Sequence, residues 1–241
     1  LVTMGLSKVS STYEIRVPKK TYKQCIEDSK TYKYNSINKK FLIQRTTNEE
    51  IIMSLWGNSD ADEAKPKWLT AAEKKLTFAD ARGWVFKKSD NHQEEVLCAI
   101  GELATSIGQA DITHIDWVST AFDKSDGGTL SATVTFNEKV TVNTSGGTPT
   151  LSVTNGNQGS GSGRGPHLLA YASGSSTNKL TFSLAIGANN AATNASDVLS
   201  FGANPLALNS GTIVDRAEGG NATITSAAGI GTAAGTITVS A

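Results

Sequence analysis

Apolar and polar residues alternate with a period of two over residues 129–142, which is the clearest pattern in the chain. Serine and threonine separate four apolar residues, Leu130, Ala132, Val134 and Phe136. This period is typical of a β-strand that buries one face. Residues 137–139 (Asn-Glu-Lys) interrupt the alternation before it resumes. We therefore predict half-buried strands over 129–136 and 139–143.

Short runs of the same kind continue to the end of the sequence, separated by Gly, Ser, Thr and Asn. They predict a first strand within 112–118 and later strands near 149–154, 167–172, 178–186, 197–201, 211–214, 221–225 and 235–240. Strands at spacings of roughly 8–12 residues, with a turn signal in each gap, are typical of an antiparallel β-sandwich. Residues 156–165 contain five glycines, so we expect an exposed hairpin or loop there.

The first half of the chain predicts a mixture of helix and strand. Tyr13, Ile15 and Val17 have the spacing of a strand that ends at Pro18. Thr70 and Glu73 have the spacing of a capping box, which predicts a helix. A turn at 89–91 between two apolar runs predicts a β-hairpin whose apolar face combines Trp84, Phe86, Val96 and Cys98.

Two further segments of the first half leave alternatives open. Residues 19–33 fit either a helix or an extended arm, and residues 51–56 fit either a short helix or a strand. The first half is therefore interpreted as a small α+β domain without a complete assignment of its elements.

Composition divides the chain near residue 110. Residues 1–110 carry 17 basic and 14 acidic side chains, a balance of +3, whereas residues 111–241 carry 5 and 8, a balance of −3. Five of the 23 glycines precede residue 111. We predict a mainly β protein with two domains, an α+β domain over 1–110 and a β-sandwich over 111–241. The total charge is zero, so no overall electrostatic field favours nucleic acid or a membrane.

The two cysteines predict no disulfide framework, because Cys25 and Cys98 are 73 positions apart and have no metal-ligand pattern beside them. Cys98 lies in an apolar run and is expected to be buried, whereas Cys25 is expected to be exposed and unpaired, as in a reducing cytoplasm. No apolar run reaches the roughly 18–20 residues that span a bilayer, and no secretion signal is expected at the N-terminus.

Candidate chemistry is sparse. Seven carboxylates lie near predicted strand ends or turns, and we interpret them as turn-forming residues rather than calcium ligands: Asp111, Asp116, Asp123, Asp126, Glu138, Asp197 and Asp215. The three histidines, His92, His114 and His167, have no other Cys or His nearby at the spacing of metal ligands. The chain also has no nucleophile-elbow sequence that would present a catalytic serine. We therefore predict no enzyme activity, with no catalytic, cofactor-binding or metal-binding residue and no cofactor.

Two basic or glycine-rich stretches have both a functional and a plain structural interpretation. Residues 161–165 (Gly-Ser-Gly-Arg-Gly) resemble a phosphate loop only superficially, since no Lys-Ser/Thr pair follows, and are interpreted as a hairpin. The lysines of residues 19–40, with three tyrosines, suit either a solvated arm or docking to nucleic acid or an acidic capsid surface. Direct nucleic-acid binding is not expected for the chain as a whole.

The second half resembles the bacterial Ig-like repeats of large surface proteins. The residues that carry this resemblance are 134–142, 147–153, 170–182 and 206–215, and it covers residues 112–241. Such repeats occur in adhesins and in phage virion proteins. The sequence departs from the repeat at residues 216–221, where a neutral Ala-Gly-Asn turn is more usual. In the first half, residues 64–69, 78–85 and 94–100 are similar to virion structural proteins of large marine tailed phages.

Together the two resemblances imply a non-enzymatic virion protein. We expect a capsid decoration protein that is assembled in the bacterial cytoplasm, docks on the major capsid protein or other virion proteins through residues 1–110, and displays the Ig-like domain on the virion exterior. A symmetric oligomer would suit a lattice site. The alternative is an adhesion module that binds host-surface glycans through residues 156–165 and 187–197.

Aromatic residues bear on that alternative, because sugar sites usually stack a ring on an exposed aromatic side chain. The second half has six, and nearly all are at expected core positions: Trp117, Phe122, Phe136, Tyr171, Phe182 and Phe201. We therefore expect at most weak glycan binding.

Overall fold

A computed structural model describes residues 65–89, 91–156, 166–190 and 192–241, together with the backbone of four short strands before residue 43. The predictions for the arm at 19–33, for Cys25, for residues 51–56 and for the glycine-rich residues 157–165 lie outside the described residues.

The four early strands form two separate hairpins. Strand β1 (Val2–Lys8) pairs antiparallel with β2 (Ser11–Val17), and β3 (Lys33–Asn35) pairs antiparallel with β4 (Lys40–Leu42). The strand predicted from Tyr13, Ile15 and Val17 is confirmed as β2. It ends directly before Pro18, a residue that has no N–H to donate to a ladder.

The predicted helix begins where its capping box lies. Helix α1 (Ala71–Lys75) has Thr70 as its N-cap: the Thr70 hydroxyl accepts from the Glu73 N–H, and the Glu73 carboxylate accepts from the Thr70 N–H. Strands β5 (Thr77–Asp80), β6 (Gly83–Phe86) and β7 (Glu95–Ala99) follow as an antiparallel meander, and a short helix α2 (Leu103–Ser106) comes after them.

The apolar face predicted for this hairpin is only partly formed. Trp84 is fully buried and lies opposite Cys98, as expected, but the register shifts between Trp84 and Val85. Val96 therefore faces Val85 and is 40% exposed, and Phe86 faces Glu95. Cys98 is half-buried rather than buried. Trp84 packs in a small cluster completed by Ala79, Leu103 and Ile107.

The second half is built from nine strands and one short helix. The strands are β8 (Ile112–Trp117), β9 (Phe122–Asp123), β10 (Gly128–Asn143), β11 (Thr150–Gly156), β12 (His167–Ser173), β13 (Thr177–Ile186), β14 (Val198–Ala207), β15 (Thr212–Asp215) and β16 (Ile237–Ser240), and the helix is α3 (Ile230–Ala233). The strands predicted at 129–136 and 139–143 are one long strand, β10, whose pairing with β13 shifts register between Thr135 and Val140. The strand predicted at 221–225 is wrong, since Asn221 and Thr223 form only isolated bridges.

Twelve strands form one mixed sheet, so the protein is mainly β. The order is β7-β6-β5-β10-β13-β12-β11-β14-β16-β9, with β8 and β15 also paired to β10. The first half of β10 lies between β8 and β13, and its second half pairs with β15. At Glu138, β10 also pairs in parallel with Ala79 of β5. The meander of residues 77–99 therefore extends the sheet of the second half.

Within the second half, strands that are distant in the sheet order contact one another across an apolar core. Trp117 of β8 stacks on Phe201 of β14 with ring centroids 4.2 Å apart, and its Nε1 donates to the Gly235 carbonyl beside α3. After β8 the chain crosses to β9, which pairs in parallel with β16. The core contains buried side chains from β8 to β16, including Leu130, Leu151, Leu180, Leu199 and Val239.

The helices of the described part are four or five residues long, and none of them meets the length and apolarity that a membrane span needs.

Candidate functional site

The central feature for function is that β10 is buried on both faces. Leu130, Ala132, Val134 and Phe136 face the core, as the alternation predicts. The opposite row was expected to be solvated, but every residue from Ala132 to Glu138 is buried. Thr135 and Glu138 are each 1% exposed. The prediction of a half-buried strand is therefore wrong over this segment, and something must cover its outward row.

Residues 75–111 contact the second part of β10 and its neighbour β8. Lys139 extends from β10 over the Phe78 ring, with its Nζ 5.0 Å from the ring centroid. Asn137 accepts from the Asp111 N–H at 2.7 Å through its side chain. Lys75 of α1 forms an ion pair of 2.5 Å with Asp116, the β8 residue opposite Thr133. We call residues 65–110 the cover layer.

An ion-pair network fastens the cover layer to β10. The Glu94 carboxylate lies 2.6 Å from Lys139 Nζ and 2.5 Å from Arg82 Nη2, and Arg82 also binds Asp80. Partial burial acts to raise the pKa of Glu94, but the hydrogen bonds from Lys139 and Arg82 outweigh it and hold that pKa below its usual value. Hydrogen bonds to Asp80 and Glu94 raise the pKa of Arg82. Charge-assisted hydrogen bonds therefore hold together β10, the segment before β7, and the end of β5 with the turn that follows it.

Asp215 fastens the other end of the cover layer. Its buried carboxylate accepts three backbone N–H groups, from Ala110 at 2.7 Å, Ala217 at 2.6 Å and Glu218 at 3.1 Å. Buried polar groups are expensive to leave unpaired, so this carboxylate fixes the turn after β15 and the end of the cover layer together.

Residues 216–221 contact both the cover layer and β10. Gln109 Nε2 donates to the Glu218 carboxylate at 2.5 Å, and the Arg216 N–H donates to the Lys139 carbonyl at 3.0 Å. Gly220 lies so close to Gln109 that a Cβ there would be 2.2 Å from the Gln109 side chain. The Glu218 side chain and Gly220 therefore lie against Gln109 at the end of the cover layer.

Two of the other candidate carboxylates, Asp123 and Asp197, accept hydrogen bonds from nearby backbone N–H groups. Asp123 accepts from the Ser240 hydroxyl and from the N–H groups of Asp126 and Ser125, which lower its pKa. Asp197 is buried and accepts from the Asn194 N–H at 2.8 Å. Over the described ranges, no three His, Cys, Asp or Glu side chains come together in a way that would hold a metal ion.

The three histidines lie on separate elements. His92 contacts Ser89 in the turn before β7, and His114 of β8 contacts its neighbour Thr113. His167 at the start of β12 is 6% exposed, and its Nε2 lies 3.1 Å from the Thr193 hydroxyl. Burial lowers the pKa of His167. The structure does not bring the histidines together.

The loop at 187–197, a candidate glycan-binding loop, is anchored at several points. Beside the contact with His167, Asn155 Nδ2 donates to the Ala192 carbonyl. The Asn189 N–H donates to the Lys124 carbonyl, and the Ser196 N–H donates to the Val239 carbonyl, both at 2.8 Å.

The six aromatic residues of the second half lie in or against the core. Phe122, Phe136, Phe182 and Phe201 are at most 4% exposed. Trp117 and Tyr171 are half-buried and pack on Phe201 and Phe182 respectively. The Tyr171 hydroxyl also accepts from the Ser175 N–H at 2.9 Å. These rings are engaged in packing, as expected from their core positions.

Sequence reasoning did not find Glu94, Lys139 or Asp215 as residues that join the two halves. A signal exists for Lys139, because Glu138 and Lys139 place charges in the middle of an apolar strand pattern. No signal in the sequence identifies their partners, which lie 45 residues away for Glu94 and Lys139 and 105 residues away for Ala110 and Asp215.

In comparisons with known proteins, the chain matches no protein-family model, and no curated protein or solved structure is significantly similar to it.

Proposed function

We propose that this chain is a non-enzymatic structural protein of a tailed-phage virion, a capsid decoration protein that docks through its first half and displays an Ig-like β-sandwich. The resemblance of residues 112–241 to bacterial Ig-like repeats supports the display role. The contact between Trp117 and Phe201 supports the sandwich, because it joins β8 and β14, which are far apart in the order of the sheet.

The observation that carries the proposal is the continuity between the two halves. Residues 77–99 extend the sheet of the second half, and the Glu94 network and Asp215 fix both ends of the cover layer to it. A protein that decorates a lattice must transmit its attachment to the displayed domain. Here that link is a packed and hydrogen-bonded layer.

The polar side chains of the described part support a structural role as well. Asp215 and Asp123 accept hydrogen bonds from backbone N–H groups, and Glu94 forms ion pairs with the Lys139 and Arg82 side chains. Each of these carboxylates is used to hold one segment against another. Such contacts are typical of a scaffold.

The glycan-binding alternative has weaker support. Residues 187–197 join β13 to β14 and are anchored by hydrogen bonds, and the aromatic rings of the second half pack in or against the core, so they offer little stacking surface.

Labelling of intact virions tests the proposal. Gold-labelled antibody against residues 112–241 should bind over the whole capsid shell. Label confined to the tail would contradict the decoration role, and absence of label from particles that contain the protein by mass spectrometry would contradict exterior display.

A further inference from the structure

His167 and the loop before β14 meet at one end of the β11–β12 hairpin. His167 begins β12 opposite Val153 of β11 and is 6% exposed. Its Nε2 lies 3.1 Å from the hydroxyl of Thr193, which is 1% exposed. Asn155, two residues beyond Val153, donates from Nδ2 to the Ala192 carbonyl. One imidazole and one amide of the hairpin therefore hold this part of the loop.

The same loop is attached a few residues later to a different strand. The Ser196 N–H donates to the Val239 carbonyl of β16, and the Val239 N–H donates to the Asp197 carbonyl, both at 2.8 Å. Residues 192–194, which we call the latch, bond by their own N–H groups to other residues of the loop. The latch can therefore leave the hairpin while Ser196 and Asp197 remain on β16.

The described elements around His167 carry few charges. Strands β11, β12, β14 and β16 contain no lysine, arginine, aspartate or glutamate. The charged residues of the other neighbouring elements are Lys179 at the far end of β13, Asp123, Lys124 and Asp126 in the turn that meets the loop, and Asp197 of the loop itself. Arg164, three positions before His167, lies outside the described residues. Burial lowers the pKa of His167, so these carboxylates do not compensate for the loss of water around the ring.

Protonation changes the energetics of this buried contact. A neutral imidazole has one N–H donor and one acceptor, whereas the imidazolium has two donors and a positive charge. Whichever ring nitrogen takes up the proton, a cation then lies where little water reaches it, and such a charge is costly unless it is paired. Release of the latch uncovers the ring on the side of the Thr193 hydroxyl and lets water solvate it.

We propose that the latch, residues 192–194, is pH-sensitive: it is closed on the β11–β12 hairpin while His167 is neutral and opens when His167 takes up a proton. Opening exposes the part of the loop that contacts Asn155 and leaves the attachment to β16 in place. This inference does not depend on the proposed virion role, since it uses only contacts within the second half.

Amide hydrogen exchange of the full chain tests the latch when it is followed residue by residue by NMR at pH 7.5 and 5.5 and corrected for the intrinsic effect of pH. The Thr193 and Asn194 amides should open more often at the lower pH, by a factor of up to about ten. One histidine with an ordinary pKa of about 6.5 in the open state gives at most about this change over the interval. The Ser196 and Val239 amides are the internal reference and should keep their opening frequency.

His167→Gln should make the opening of the Thr193 and Asn194 amides independent of pH, because glutamine is polar but does not titrate. The matched control His114→Gln, on β8, should retain the pH dependence of the unchanged chain. In case His167→Gln does not fold, the ring C–H signals of His167 in the unchanged chain give a second measurement. The ring should titrate below pH about 6.5, and the opening of the latch should level off below the pH at which the ring titrates.

Three results would overturn the latch. The first is equal opening at both pH values in the unchanged chain, and the second is the same pH dependence in His167→Gln. The third is equal acceleration of the Thr193 and Ser196 amides, which would mean that a larger part of the second half opens. Arg164→Gln should retain the pH dependence, and its loss there would assign the effect to the glycine-rich residues instead of His167.

Discussion

Lys139 Nζ and Glu94 Oε1 lie 2.6 Å apart and join β10 to the segment that leads into β7. About a quarter of each side chain is exposed, 25% for Lys139 and 26% for Glu94, so water screens the pair only in part. Glu94 binds Arg82 with its other oxygen. One carboxylate therefore holds a cation from β10 and a cation from the turn between β5 and β6, and we expect it to matter more than an isolated surface pair.

Replacement of Glu94 by Gln should reduce the free energy of unfolding by about 1 kcal/mol, because it removes two charge-assisted contacts from a partly exposed site. Thermal and urea unfolding of the full chain measure this change. Glu95→Gln, at the exposed neighbouring position, is the matched control. Equal stability of the two variants would show that the Glu94 network does not hold the cover layer.

Replacement of Asp215 by Ala should cost about 3 kcal/mol, because three backbone N–H groups lose a buried acceptor. Asp215→Asn keeps one oxygen for Ala217 and Glu218 but turns an amide donor toward the Ala110 N–H, so its loss should be intermediate. Urea unfolding measures both. Asp126→Ala, at an exposed residue of another turn, should have little effect, and a comparable loss there would remove the special role of Asp215.

Replacement of Gly83 by Ala should destabilise the protein by about 2 kcal/mol or more, because the residue has a left-handed φ of +128°. An added Cβ would also lie 2.1 Å from the Cys98 carbonyl oxygen. Gly101→Ala, where nothing lies within 4 Å of the new atom, is the control in thermal unfolding. If both variants melted at the same temperature, the pairing of β6 with β7 would be incorrect.

Acidification should weaken the fold through His167 before it affects the carboxylates. The pKa of His167 is lowered by burial, so the unfolded chain takes up a proton that the folded chain resists. The stability is intact above the unfolded pKa of about 6.5 and falls as the pH drops below that value toward the folded pKa. Unfolding in urea between pH 7.5 and 5 measures this, and His167→Gln should flatten the dependence.

A second acid transition belongs to the carboxylates. The pKa of Glu94 and that of Asp123 are lowered in the folded protein, so their contributions are present above the unfolded pKa values of about 4.3 for Glu and about 3.9 for Asp and are lost as the pH falls through the lower folded values. For the first transition, an unchanged pH dependence of stability between pH 7.5 and 5 in His167→Gln would mean that a group other than His167 is responsible.

The sequence predicted those parts of the fold that depend on local pattern. The alternation of Leu130 to Phe136 predicted the core face of β10, and Thr70 with Glu73 predicted the start of α1. Both signals lie within a few residues of what they predict. The register shift after Trp84 was not predictable. Whether Phe86 lies opposite Val96 or opposite Glu95 depends on packing between the two strands, which the local pattern does not contain.

The candidate site was less predictable for a similar reason. Composition separates the halves at residue 110, but burial of Glu138 depends on residues that precede it by about 60 positions in β5. A buried charge in a strand pattern indicates that a cover exists without saying which segment supplies it. The charge of Glu218 likewise has a distant partner, Gln109, which its own segment does not identify.

Difference density between virions with and without the protein, obtained by electron cryomicroscopy, tests the central claim most directly. The account predicts β-rich density outside the capsid shell at lattice positions, with the first half of the chain against the shell. Density on the tail alone, or contact with the shell made by the second half, would contradict it.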